Sequence, residues 1–219
     1  PVLESAPLAG VFMTVRLSLA FCLLLSSMLA AAPRAPLVAR EDWRETPPAQ
    51  PMTQAHVAHA DLELLTIGPG ASGLKKSHHD QPADDPYYVW SGEAAGTWAV
   101  ALRHRRVLLD LSRGGAIRWR SRQSGFRQLH PIVQLDDGQW LVADQYDGAS
   151  EAWRVSEFAT ADLTWRALNP ATIVEGKPVS GPSLARIAAV GFTDLMRGGG
   201  TPASSRLDWI EIYGLAVPR

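Results

Sequence analysis

From residue 61 onward the chain never keeps a 3.6-residue apolar period for three turns; its apolar residues come in short runs cut by Gly, Pro and Asp. That pattern excludes a helical core and predicts strands. Leu62 to Ile67 is a short apolar run ended by Gly68-Pro69-Gly70. Between Thr97 and Arg106, Trp98, Val100 and Leu102 fall on one face, with Ala99, Ala101, Arg103 and Arg105 on the other. Ile117, Trp119 and Ser121 alternate in the same way with Arg118, Arg120 and Arg122. His130 to Leu135 and Gln139 to Asp144 flank Asp136-Asp137-Gly138, a hairpin turn. Trp153 to Ser156, Arg186 to Thr193 and Arg206 to Tyr213 complete the set, with Gly198-Gly199-Gly200 as the loop between the last two. The one predicted helix is Thr53 to Ala60, with Thr53 as N-cap. Before it, Pro33 to Pro51 is rich in Pro and Ala, with Asp42-Trp43 as its anchor. The tryptophans Trp98, Trp119, Trp140 and Trp153 alternate with polar residues and are read as core.

Short strands joined by such turns make an all-β, antiparallel β-sandwich or barrel. The order of motifs narrows this further. Asp110-Leu111-Ser112 is followed by Ile117-Arg118-Trp119-Arg120, then by the hairpin at Asp137-Gly138. Trp153-Arg154-Val155 and Phe158 follow, then Ala189-Val190-Gly191-Phe192 and Leu207-Asp208-Trp209-Ile210-Glu211-Ile212. Over about Leu109 to Gly214 this resembles the galactose-binding-like jelly roll of many carbohydrate-binding modules. The resemblance implies a sandwich and a carbohydrate ligand. It also implies a structural calcium near the chain ends, for which Glu41, Asp42, Asp208 and Glu211 are the hard oxygen donors. The alternative is that Asp208 and Glu211 are strand-edge carboxylates. Asp42 to Arg106 is taken as integral to the sandwich, since no linker sets it apart.

Met13 is followed by Arg16, an apolar run from Leu17, and Ala30-Ala31-Ala32. This is the three-part pattern of a cleavable secretory signal, too short for a bilayer span. The expected organisation is therefore an upstream segment or mis-assigned start over 1–12, a signal peptide over 13–32, and a single domain over 33–219. The protein would be secreted or periplasmic, with no membrane partner after cleavage. The one cysteine, Cys22, lies within the apolar run, where a lipid anchor would not form. The domain that remains has neither disulfide nor thiolate chemistry. A formal net charge of −1 argues against nucleic acid as partner. Lysine occurs only at Lys75, Lys76 and Lys177, the arginine-rich bias of a GC-rich bacterial genome.

Several motifs fail on their chemistry. Gly68 to Gly73 is no phosphate loop, because Leu74 and a second lysine intervene before Ser77. Ser72 and Lys75 have S-x-x-K spacing but lack the partner motifs of serine acylases. Ser77, His78, His79 and Asp80 are adjacent in sequence, and a triad needs convergence in space. Metal binding is a separate case. His56 and His59, with His78-His79-Asp80 and Asp84-Asp85, are residue types that zinc accepts, but neither H-E-x-x-H nor H-x-E is present. Loop histidines in a polar segment are the plainer account.

The segment from Lys75 to Trp90 is the most site-like. Lys75, Lys76, His78, His79, Asp84, Asp85, Tyr87, Tyr88 and Trp90 supply aromatic platforms and planar hydrogen-bonding groups. Those are what a sugar's C–H face and hydroxyl rim require, and the segment is read as a long rim loop. The aromatic residues packing into the core is the competing account. Arg118, Arg120 and Arg122 share a strand face. Arg103 and Arg105 share another, and five guanidinium groups on one sheet face would suit carboxylates or sulfates on an acidic polysaccharide. A solvated outer face is the plainer account of them. The expected function is non-catalytic glycan binding. The alternatives are a glycan-active enzyme using Asp84 or Asp85 with His78 or His79 as acid and base, and a structural or protein-interaction sandwich.

Overall fold

A computed structural model describes residues 34–197 and 202–219. The expected signal peptide and the Gly198–Gly200 loop lie outside the described residues. Among the described residues fifteen strands run in chain order. They are β1 (Leu37–Glu41), β2 (Leu62–Ile67), β3 (Lys75–Ser77), β4 (Tyr88–Trp90), β5 (Trp98–His104), β6 (Val107–Asp110), β7 (Ala116–Gln123) and β8 (His130–Leu135), followed by β9 (Trp140–Ala143), β10 (Arg154–Ala159), β11 (Trp165–Asn169), β12 (Val174–Val179), β13 (Ile187–Asp194), β14 (Ser205–Tyr213) and β15 (Leu215–Pro218). Every pairing is antiparallel.

The strands form two sheets, an all-β sandwich. The six-stranded sheet has the order β10-β7-β14-β4-β3. Its central strand β14 pairs with β7 along one edge. On the other edge its beginning carries β4 and its end carries β1. The nine-stranded sheet has the order β12-β11-β9-β8-β13-β5-β2, with β6 on β13 and β15 on β6. The stretch from Asp42 to Arg106 therefore feeds strands into both sheets.

Alternation decides which face each strand buries. Trp98, Val100 and Leu102 of β5 and Val190 and Phe192 of β13 meet Ile117 and Trp119 of β7 and Leu207, Ile210 and Ile212 of β14 in one core. The Trp119 ring lies 4.8 Å from Phe158 in its own sheet and 6.3 Å from Phe192 in the other, so aromatic contacts tie the layers together. A fully buried side chain of this size contributes roughly 4–6 kcal/mol from area alone. Its indole N–H donates to Asp147 at 3.2 Å, so the polar end is not left orphaned. Trp98, Trp119 and Trp140 are core, as expected. Trp153 is not; it is only half-buried.

The predicted helix over 53–60 is reduced to a single 3₁₀ turn, Gln54–His56, with Thr53 as its N-cap. The reason is local. The carboxylate of Glu41, fully buried, accepts the backbone N–H groups of Ala58 and His59 at 2.7 and 3.0 Å, and that of Trp43 at 2.8 Å. These bonds draw the chain after His56 onto β1 and away from a second helical turn. Trp43, buried and at φ 56°, donates its indole N–H to the Leu207 carbonyl at 3.1 Å, making it the anchor of the Pro-rich lead-in. Among the described residues no helix is long and apolar enough to cross a membrane.

Candidate functional site

The outer face of the six-stranded sheet gathers a dense set of arginines, carboxylates and aromatic rings. On β7 the inward residues are Ile117, Trp119 and Ser121, so Arg118, Arg120 and Arg122 point outward. On β14 the register against β7 shifts between Leu207 and Trp209. Leu207 and Ile210 both enter the core, three residues apart. That spacing is a β-bulge, and it turns two consecutive residues, Asp208 and Trp209, to the outer side. Strict alternation would have buried Trp209, which is why its sequence pattern reads as packing.

These groups interlock. The Arg40 and Arg118 guanidinium carbons sit 4.4 and 5.4 Å from the Trp209 ring. Both arginines reach Glu211, at 2.6 and 3.1 Å, and the Tyr213 hydroxyl donates to the same carboxylate at 2.8 Å. Burial alone would raise the Glu211 carboxyl, but those bonds and the two positive charges outweigh it and hold it below its usual range. Arg120 pairs with Asp208 at 2.7 Å and lies 5.4 Å from the Trp153 ring. Burial lifts the Asp208 carboxyl above its ordinary range, and Arg120 only partly offsets it. Trp153 in turn meets Tyr88 edge-on at 5.4 Å.

The Lys75–Trp90 segment is not one long loop. Its ends are β3 and β4, a short antiparallel pair at the sheet margin, which divides the segment's residues between two sides. Lys75, Ser77, His79, Tyr88 and Trp90, with Arg206 from β14, line a small pocket of about 170 Å³. His79 Nδ1 lies 2.9 Å from Asp85 and 3.1 Å from the Tyr88 hydroxyl, and Asp85 also accepts the His79 backbone N–H. Lys76, by contrast, is fully buried with its amine donating to the Thr46 carbonyl and 4.0 Å from the Tyr87 ring. Burial pushes that amine down to about 8. His78 stacks on the same Tyr87 ring at 4.1 Å. Lys76, His78 and Tyr87 thus pack together away from the pocket, and Asp84 is exposed.

Two further expectations are corrected by geometry. The five arginines do not share one face, because Arg103 belongs to β5 of the other sheet, where it bonds Glu63 and Gln134, and Arg105 follows that strand. The calcium donors do not converge either. Glu41 is spent on backbone N–H groups, Asp42 on Arg40, Asp208 on Arg120, and Glu211 on Arg40 and Arg118. Among the described residues no group of three or more His, Cys, Asp or Glu side chains is placed to hold a metal ion. Sequence reasoning missed Arg40, Trp153, Arg206, Trp209 and Tyr213. The one signal available was the three-residue interval between Leu207 and Ile210.

No protein-family model and no curated protein matches this chain. Several solved structures resemble it. One is the family 11 carbohydrate-binding module of a cellulosomal cellulase of Clostridium thermocellum, at 10% identity and a TM-score of 0.46, covering 78% of this chain and 97% of that one. A family 11 module from the same organism, in complex with a β-1,3-1,4-mixed-linked tetrasaccharide, matches at 10% identity and a TM-score of 0.43, over 72% and 91% of the two chains. An exo-β-agarase matches at 10% identity and a TM-score of 0.42; the match covers 74% of this chain and 24% of that enzyme.

Proposed function

We propose that this chain is an exported, non-catalytic carbohydrate-binding module whose glycan lies along the outer face of the six-stranded sheet. The observation that carries this is the half-buried pair Trp90 and Trp153, set on one face with the more deeply buried Tyr88 and Trp209 and interleaved with arginines and carboxylates already locked in pairs. A pyranose offers a C–H face to an aromatic ring and hydroxyls to planar polar groups, and this face supplies both. The pairs hold each guanidinium and carboxylate in place before the ligand arrives, which lowers the ordering cost of binding.

Acidic polysaccharide is part of the proposal, with one revision. Arg118 and Arg120 are matched by Glu211 and Asp208, so those two offer hydrogen bonds to hydroxyls more readily than free positive charge. Export rests on the segment Met13 to Ala32, which has the composition of a secretory signal.

One observation favours a second reading, a glycan-active enzyme: His79, Asp85 and Tyr88 are joined by hydrogen bonds at the pocket. Affinity electrophoresis of the mature domain through a polysaccharide panel, with product analysis of each incubated glycan, separates the readings. Retarded migration with intact glycan is expected. Shortened products would establish the enzyme, and unretarded migration in every gel would leave a structural sandwich.

A further inference from the structure

One row of residues runs straight across four strands of the sheet. In register, Arg122 of β7 faces Arg206 of β14, Arg206 faces Trp90 of β4, and Trp90 faces Lys75 of β3. Three of the four positions are cations. Unlike Arg40, Arg118 and Arg120, none of the three has an ion pair among the described residues. Lys75 has only the Trp90 ring, 5.5 Å from its amine.

We propose that this row is a subsite for a negatively charged oxygen substituent, a carboxylate or a sulfate ester, on the bound glycan. The inference rests on the glycan-binding reading and adds where and how charge is recognised. Arg206 and Lys75 line the small pocket with the hydroxyls of Ser77 and Tyr88, all of which donate hydrogen bonds to an oxyanion. The indole nitrogen of Trp90 is buried with no hydrogen-bond partner among the described residues. On the opposite side, Arg122 and Arg206 also border a cleft of about 840 Å³ whose rim carries the almost fully exposed ring of Phe126. A sugar seated there would have an apolar surface to rest on while its substituent turns toward the cations. Glu151 shares that cleft but forms no ion pair with either arginine.

The chemistry separates this row from the centre of the sheet. An arginine held by a carboxylate presents a neutral pair to an incoming anion. An unpaired guanidinium offers its full charge and a planar fork that donates to two oxygens at once. The row lies beside the platform of Tyr88 and Trp153, so one chain of sugar units can cover both.

The test compares two polysaccharide pairs: polygalacturonate with its methyl ester, and a sulfated galactan with its desulfated form. Retention of each is measured for the wild type, for Lys75→Gln/Arg206→Gln, and for Trp153→Ala, with circular dichroism to verify folding. The wild type should prefer the charged member of at least one pair by about tenfold, with the preference weakening as salt rises. In the double variant retention of the charged member should fall to that of the neutral one, while Trp153→Ala should weaken both members alike. Preference for one pair alone assigns the substituent as sulfate or carboxylate. A wild type with no preference, or a preference that survives the double substitution, overturns the subsite while leaving glycan binding intact. A wild type that retains none of the four overturns the glycan-binding reading itself, and the subsite with it.

Discussion

The buried amine of Lys76 gives the chain a stability signature at high pH. The residue is fully covered between β3 and the lead-in segment, with one carbonyl acceptor, Thr46 O, and the face of Tyr87 at 4.0 Å. Burial outweighs the attraction of Glu45, and the amine drops from 10.5 to about 8. That displacement corresponds to about 3 kcal/mol. Below pH 8 both folded and unfolded chains carry the proton, and the fold bears the whole cost of the buried charge. Between the two values the unfolded chain holds a proton that the folded chain has released, so stability rises with pH. Lys76→Met keeps much of the volume and removes the titration. It also leaves the Thr46 carbonyl without its donor, a cost of about 1–3 kcal/mol that does not depend on pH. Thermal unfolding of both proteins from about pH 6 to about pH 11 isolates the effect, because every other titrating group cancels in the difference. The wild type should gain on the variant by about 3 kcal/mol across that range, or about 6–12 °C in Tm for a domain of this size. Parallel curves would refute the reasoning and mean that the amine reaches water or holds its proton throughout.

Two other outcomes follow from the same geometry. Asp147, nearly fully buried, accepts from the Trp119 indole, the Ser121 hydroxyl and the Arg154 guanidinium. Asp147→Ala should therefore destabilise the domain by about 3 kcal/mol, read as a lower urea midpoint, because it strands a donor in the core beneath an unpaired arginine. Since Glu41, Asp208 and Glu211 are each committed to backbone or arginine partners, chelator should leave the melting temperature unchanged. A fall restored by added calcium would show that these carboxylates regroup around an ion.

Much of the sandwich was readable where a strand buries one face, as β7 does, or where a short apolar run is cut by turn residues, as at β8, which is buried on both faces. Ile117 to Arg122 alternates so regularly that inward and outward sets were assigned correctly from the sequence, and Leu62–Ile67 and His130–Leu135 match their observed bounds. Strands without that contrast were missed. β12 reads Val-Glu-Gly-Lys-Pro-Val and is exposed over almost its whole length at the sheet edge, where nothing demands an apolar face. β3 and β4 have three residues each, too few for a period to emerge. The site was legible only in part, for the same physical reason. Composition drew attention to Lys75–Trp90, yet register, which sequence does not reveal, sends Lys76 inward and Lys75 outward. The bulge in β14 brings Trp209 onto the outer face. Trp153, whose neighbours suggested a core position, instead rests beside Tyr88 and Arg120.

The most direct test uses the tryptophans as reporters. With the backbone and indole N–H signals of the ¹⁵N-labelled mature domain assigned, the oligosaccharide from the best-retained polysaccharide is titrated in. The indole signals of Trp90, Trp153 and Trp209 should move together along a saturating curve, while those of Trp98, Trp119, Trp140 and Trp165, buried within or behind the sheets, stay in place. Movement confined to the nine-stranded sheet, or no movement of the three outer-face indoles at saturating sugar, would contradict the assignment of the six-stranded sheet as the glycan-binding face.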